Sequence, residues 1–131
     1  MIRGTIITEN GGYADLHLHT RLSDGTLSVE ELLALTKRKG LRCISITDHD
    51  NLDSYKIAEG PARDIGIELI PGIEISAVWQ GKDIHILGYF CDPTNLALNM
   101  ELEDFAKQRI ARVKAIIKKL NALGIDITYE K

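Results

Sequence analysis

All four histidines of this chain fall in short acidic or hydroxyl-rich runs, Asp15-Leu16-His17-Leu18-His19-Thr20, Thr47-Asp48-His49-Asp50 and Asp83-Ile84-His85-Ile86, and in the first and last of these apolar residues alternate with the polar ones. Alternation of that kind is the period of a β-strand, so the chelating side chains share one face while the apolar ones turn toward a core. Asp24 in Ser23-Asp24-Gly25 and Glu74 in Pro71-Gly72-Ile73-Glu74-Ile75-Ser76 add carboxylates in equally marked settings. Neutral imidazoles mixed with carboxylates are a donor set for divalent metals. The chain therefore reads first as a multinuclear metal site.

Helices alternate with these strands. Residues 13–20 form the first strand, with Asp15, His17 and His19 on one face and Leu16 and Leu18 on the other. Ser28 and Glu31 have the spacing of a capping box, which opens a helix running through Lys39 to a stop at Gly40. Residues 41–47 repeat the strand, and His49 leaves its end on the polar side. A weaker helix over residues 54–65 is expected to be irregular at Gly60-Pro61, because proline lacks the amide hydrogen and restricts its predecessor. Residues 67–70 and 73–78 are strand-like, and Gln80-Gly81-Lys82 turns the chain back into a strand over 84–90. Glu74 and His85 then lie on the two arms of a hairpin. From 95 to 123, Leu98, Leu102, Phe105, Ile110, Val113, Ile116, Ile117, Leu120 and Leu123 recur at helical intervals, describing one long amphipathic helix stopped by Gly124. Residues 125–129 begin a further element.

Composition sets limits on this reading. The chain has 131 residues, 44% of them apolar, enough for one core. A formal charge of −3 provides no basic field for non-specific nucleic-acid binding, although bound cations would reverse the sign locally. Cys43 and Cys91 match no zinc-ligand spacing and are expected as free thiols of a reducing compartment. The amino-terminal residues have no leader pattern, and no apolar run approaches about 18 residues. A soluble cytoplasmic protein without a membrane partner is the expectation.

Each cluster alone has an ordinary explanation. Half-buried histidines hydrogen-bond to carboxylates, an Asp-His-Asp triplet can cap a helix, and Glu74 can accept from backbone amides. The specificity lies in their combination and order on successive strands.

The same residues resemble a known family. Asp15-Leu16-His17-Leu18-His19-Thr20 followed by Ser23-Asp24-Gly25-Thr26-Leu27-Ser28, then Ile46-Thr47-Asp48-His49-Asp50, Ile70-Pro71-Gly72-Ile73-Glu74-Ile75-Ser76 and His85-Ile86-Leu87-Gly88-Tyr89 are similar to the first motifs of the PHP phosphoesterases, named for polymerase and histidinol phosphatase. The likeness spans residues 14–124. It is closest to a subgroup similar to nucleoside 3',5'-bisphosphate phosphatases and 5'-to-3' exonucleases on short RNA. The resemblance implies an α/β fold, a partial and distorted (β/α)7 barrel over residues 1–92, with residues 93–131 starting a helical insertion that forms a lid.

It also implies two to three divalent metals, manganese, iron or zinc. His17, His19 and Glu74 would hold one, Glu74 and His85 a second, Asp24 and His49 a third, with a metal-activated hydroxide attacking a phosphate ester. Asp48 and Asp50, with Asp15, are candidates for acid/base catalysis or for orienting the imidazoles. Arg109 and Arg112 on the basic face of the long helix are candidates for gripping a second phosphate. The expected substrates are phosphorylated small molecules, nucleotides or short RNA. A histidinol-phosphate phosphatase and a non-catalytic metal-binding or assembly module are the competing readings. Members of the subgroup are longer and take further ligands from a second half, whereas no histidine follows His85 here. The chain thus reads as a fragment, with self-association another route to completing the half barrel.

Overall fold

The protein is described by a computed structural model, which places residues 6–7 and 12–129. Residues 1–5, the start of the run read above for a leader, lie outside the described residues. Two compact units are present, Met1–Thr94 and Asn95–Lys131.

The first unit builds up in strand–helix steps. β1 (Ile6–Ile7) pairs antiparallel with β2 (Tyr13–Leu18), an addition too short to carry a sequence signal. β2 runs parallel to β3 (Leu41–Ile46), and β3 runs parallel to β4 (Glu68–Leu69), giving a sheet of order β1-β2-β3-β4. Helix α1 (Val29–Arg38) crosses from β2 to β3, and α2 (Asp53–Asp64) crosses from β3 to β4. In α1 the Ser28 hydroxyl accepts from the Glu31 amide while the Glu31 carboxylate accepts from the Ser28 amide, so both halves of the capping box form. Such a cap is worth about 1 kcal/mol of helix stability. Gly40, at φ 74°, supplies the left-handed residue that stops α1.

The core lies between these helices and the sheet: Val29, Leu32 and Leu33 from α1, Ile44 and Ile46 from β3, Ala58 and Ala62 from α2, and Ile67. Helix α2 runs without a break through Pro61, contrary to the irregularity expected there. Gly60 has no β-carbon to clash with the proline ring, and Pro61 and Ile57 lie on the exposed side of the helix. Solvent can therefore take the carbonyl that proline leaves without a donor.

β5 (Gly72–Trp79) and β6 (Lys82–Tyr89) form an antiparallel hairpin. Its two-residue loop has Gln80 at φ 49° and Gly81 at φ 76°, the pair of positive values that a right-twisted hairpin favours. A parallel bridge between His49 and Glu74 joins the hairpin to the end of the β3 segment, with the Asp50 amide donating to the Glu74 carbonyl at 3.0 Å and the Glu74 amide to the Asp48 carbonyl at 3.3 Å. Tyr89 Oη donates to the Leu16 carbonyl at 2.9 Å, tying β6 to β2.

The second unit is led by α3 (Leu96–Ala122), capped by the Asn95 side chain accepting from the Leu98 amide and ended by Gly124 at φ 85°. Among the described residues no regular element follows; instead the Asn121 side chain exchanges two hydrogen bonds with the Ile127 backbone. No helix among the described residues is long and apolar enough to cross a membrane.

Candidate metal centre

The two parallel crossovers and the hairpin bring the acid and histidine clusters together. His17 and His19 come from the end of β2, Asp24 from the turn before α1, His49 from the segment after β3, and Glu74 and His85 from the hairpin. In β5 and β6, Ser76 lies opposite His85 and Glu74 opposite Leu87, so Glu74 and His85 are diagonal neighbours on one face.

The geometry centres on Glu74. His17 Nε2 lies 2.9 Å and His19 Nε2 3.0 Å from its Oε2, while His85 Nδ1 lies 2.9 Å from its Oε1. His49 Nε2 stands between two acids, 3.6 Å from Asp24 Oδ2 and 3.9 Å from Glu74 Oε2. Asp24 Oδ1 is also 3.3 Å from His19 Nδ1. Three groups result, His17/His19/Glu74, His19/Asp24/His49 and His49/Glu74/His85, each with its donor atoms within 4.8 Å of one another.

Two ligand atoms each about 2.0–2.2 Å from one cation lie about 3.0–3.5 Å apart at tetrahedral or octahedral angles. Most of these separations match that edge length, and the longer His49–Glu74 distance fits a wider angle. The donor set of imidazole and carboxylate therefore fits divalent cations of the manganese, iron and zinc type. The side chain of Glu74 is 5% exposed whereas those of His17 and His85 are 45% and 51% exposed, so the cluster is open to solvent on one side. Burial by itself pushes the Glu74 carboxyl up, but the hydrogen bond from His17 and the electrostatic influence of His49, His17 and His19 outweigh it and hold it below the ordinary glutamate range.

Two acids expected to serve acid/base catalysis or to orient the imidazoles are hydrogen-bonded into the scaffold. Asp48 has no exposed surface. Its Oδ1 accepts from the Thr20 amide at 2.7 Å and Ser23 Oγ at 2.6 Å, and its Oδ2 accepts from Thr20 Oγ at 2.5 Å and from Ser54 Oγ. With both oxygens occupied, this carboxylate anchors the turn that carries Asp24. Burial raises its pKa, yet the hydroxyls of Ser23, Ser54 and Thr20 and the Thr20 amide prevail and keep it below the usual aspartate range. Asp50, buried and at φ 54°, accepts from the Ser76 amide at 2.7 Å and so clamps β5 two residues beyond Glu74. Asp15 accepts from the His17 amide at 3.2 Å. Arg109 and Arg112 are exposed on α3, in the second unit.

The residues not anticipated are Thr20, Ser23 and Ser54, which hold Asp48, and the glycines that let segments close up. A β-carbon at Gly25 would sit 2.4 Å from the His19 carbonyl oxygen, and one at Gly72 would sit 2.1 Å from Ser45 Oγ. The hydroxyl-rich spacing around Asp24 and Asp48 was the available signal.

Residues 15–111 match the family model described as the PHP domain. The chain belongs to this family. Among curated relatives, this PHP domain is 38% identical to a 5'-3' exoribonuclease of Haemophilus influenzae, covering 88% of the chain and 42% of that protein. It is 32% identical to a 3',5'-nucleoside bisphosphate phosphatase of Chromobacterium violaceum, covering 85% of the chain and 39% of the relative. A solved structure from Bifidobacterium adolescentis, assigned as a metal-dependent phosphoesterase, superimposes with a TM-score of 0.75 at 30% identity over 83% of the chain and 38% of its own. The PHP domain described here thus spans about two-fifths of the length of these relatives.

Proposed function

We propose that this chain carries the metal-binding part of a phosphoesterase that hydrolyses phosphate esters of nucleotides or short RNA. The Glu74 carboxylate is the observation that carries this reading: two imidazoles converge on one of its oxygens and a third on the other, so that His17, His19 and His85 would hold cations together with Glu74. His17, His19 and Glu74 are assigned to one cation, Glu74 and His85 to a second, Asp24 and His49 to a third. Manganese, iron or zinc suit these donors. When bound, such cations supply hydroxide near neutral pH and offset charge on phosphate oxygens.

The chain's own residues hold and orient that centre. Asp48 and Asp50 keep the Asp24 turn and strand β5 in place, and the half-exposed His17 and His85 leave an entrance for a phosphate. Arg109 and Arg112, one helical turn apart and exposed, are assigned to a further phosphate of the substrate. The nucleotide and RNA substrate class rests on what the two curated relatives are named for.

We further read the first unit as part of a (β/α)7 barrel and α3 as the start of a helical insertion. The parallel bridge from His49 to Glu74 supports this, since it carries the order β2-β3 onward into β5. Among the described residues β6 pairs with β5 alone, which leaves an edge for a further strand or for another copy of the chain. The test is manganese-dependent release of phosphate from a nucleoside 3',5'-bisphosphate, with metal content measured in parallel, on this chain and on any longer natural form. Release that disappears on chelation supports the reading. Bound metal without release from either form would favour a metal-binding or assembly module.

A further inference from the structure

Strand β2 carries one residue more than its neighbour where His17 sits. Asp15 pairs with Ile44 and Leu18 with Ile46, so three steps along β2 match two along β3. An extra residue of this kind takes a peptide unit out of step with the ladder and re-aims a side chain. The inserted stretch contains the Leu16–His17 peptide, and side chains hold that peptide at both ends. The Asp15 carboxylate accepts from the His17 amide at 3.2 Å, and Tyr89 Oη donates to the Leu16 carbonyl at 2.9 Å.

His17 needs such a hold. Its side chain is 45% exposed, so packing does not fix its direction, yet Nε2 stands 2.9 Å from Glu74 Oε2. For so exposed a residue the backbone decides where the side chain points. Tyr89 is itself anchored: it lies opposite Gly72 in the hairpin, where a β-carbon would come within 3.3 Å of its ring. The bare backbone of Gly72 thus seats the ring two residues before Glu74. One phenol ties the peptide behind His17 to the strand that carries the carboxylate His17 faces.

We propose that Tyr89 and Asp15 are positioning residues that hold the Leu16–His17 peptide and so aim His17 at the cation it shares with Glu74. Their role rests on the metal-centre reading above, and neither side chain belongs to the three donor groups of that centre. Loss of an outer hydrogen bond that orients a metal ligand typically weakens metal affinity about 10–100-fold. For a bond made to the ligand's backbone the lower end, about 10-fold, is expected.

The experiment is zinc titration together with amide hydrogen exchange, on wild type, Tyr89→Phe, His17→Ala and the double variant. Tyr89→Phe keeps the ring on Gly72 and removes only the hydroxyl. It should bind zinc about 10-fold more weakly at the Glu74 group. In its metal-free form the His17 amide should exchange about 10-fold faster while the amides of β3 keep their wild-type rates. Asp15→Ala should show the same pattern. Because Tyr89 acts through His17, its loss should add nothing once His17 is gone, and the double variant should bind zinc as His17→Ala does. Additive losses in the double variant would mark a general structural role, and these, or wild-type zinc affinity in Tyr89→Phe, would overturn the proposal. If wild type takes up no zinc, the metal-centre reading fails, and exchange in the metal-free chain still decides the hold on the peptide: a wild-type rate at His17 in Tyr89→Phe would overturn it.

Discussion

Replacing Gly25 by alanine should detach Asp24 from the cluster while the domain stays folded. The added β-carbon would lie 2.4 Å from the His19 carbonyl oxygen, 2.6 Å from its carbon and 2.8 Å from the Thr20 amide nitrogen. These are backbone atoms of the strand that carries His17 and His19, so they cannot swing aside as a side chain would. Ordinary contact begins near 3.4 Å, and the Asp24 turn must retreat by about 1 Å to reach it. The Asp24 carboxylate now lies 3.3 Å from His19 Nδ1 and 3.6 Å from His49 Nε2. Adding that retreat takes both separations past about 4.2 Å, the widest two ligands can stand on one cation of this class. Overpacking of this kind costs about 1–3 kcal/mol of stability, a fraction of what a domain holds. Equilibrium dialysis against zinc or manganese with metal analysis, beside urea unfolding, reads both effects. The variant should lose the most weakly held metal equivalent and keep a cooperative transition. Wild-type metal content and affinity in Gly25→Ala would refute the argument that the turn is held by close backbone packing.

Other consequences follow from neighbouring contacts. Gly72→Ala places a β-carbon 2.1 Å from the buried Ser45 Oγ, and should lower stability by about 1–3 kcal/mol in urea unfolding. Adding Ser45→Ala should recover most of that loss, and additive effects of the two changes would contradict the packing account. Ser54→Ala removes a donor from the sealed Asp48 carboxylate and should cost about 1–3 kcal/mol, read as a lower urea midpoint at unchanged slope. Trp79→Ala, at an exposed end of the hairpin, should leave metal content untouched; lost metal there would place the centre elsewhere.

The elements legible in the sequence are those fixed locally. The Ser28–Glu31 box begins α1 where expected, and the apolar period of α3 together with Asn95 and Gly124 bounds it to within a residue or two. The hairpin followed from Gln80-Gly81 and the alternation on either side. The pairing of Ile6–Ile7 depends on a partner rather than on its own pattern, and it was not visible. The continuity of α2 through Pro61 depends on which face meets solvent, which the sequence does not state.

The same division runs through the candidate site. Histidines and acids alternating on strands announce themselves, and the fold gathers all six expected donors. The hydrogen bonds that fix Asp48 are not legible in the sequence, because its partners, Thr20, Ser23 and Ser54, are spread along the chain. An acid beside a histidine suggests proton transfer in one dimension; only the folded chain shows that its lone pairs are already taken. The glycines at 25 and 72 are similar cases, since the atoms that exclude a β-carbon belong to residues distant in sequence or to backbone.

The most direct test of the metal centre is metal content per chain, after saturation with manganese or zinc and removal of the excess, for wild type and Glu74→Ala. The shared carboxylate predicts about two to three equivalents in wild type and a loss of most of them in the variant. Wild type that retains no metal, or Glu74→Ala that retains as much as wild type, would contradict the account.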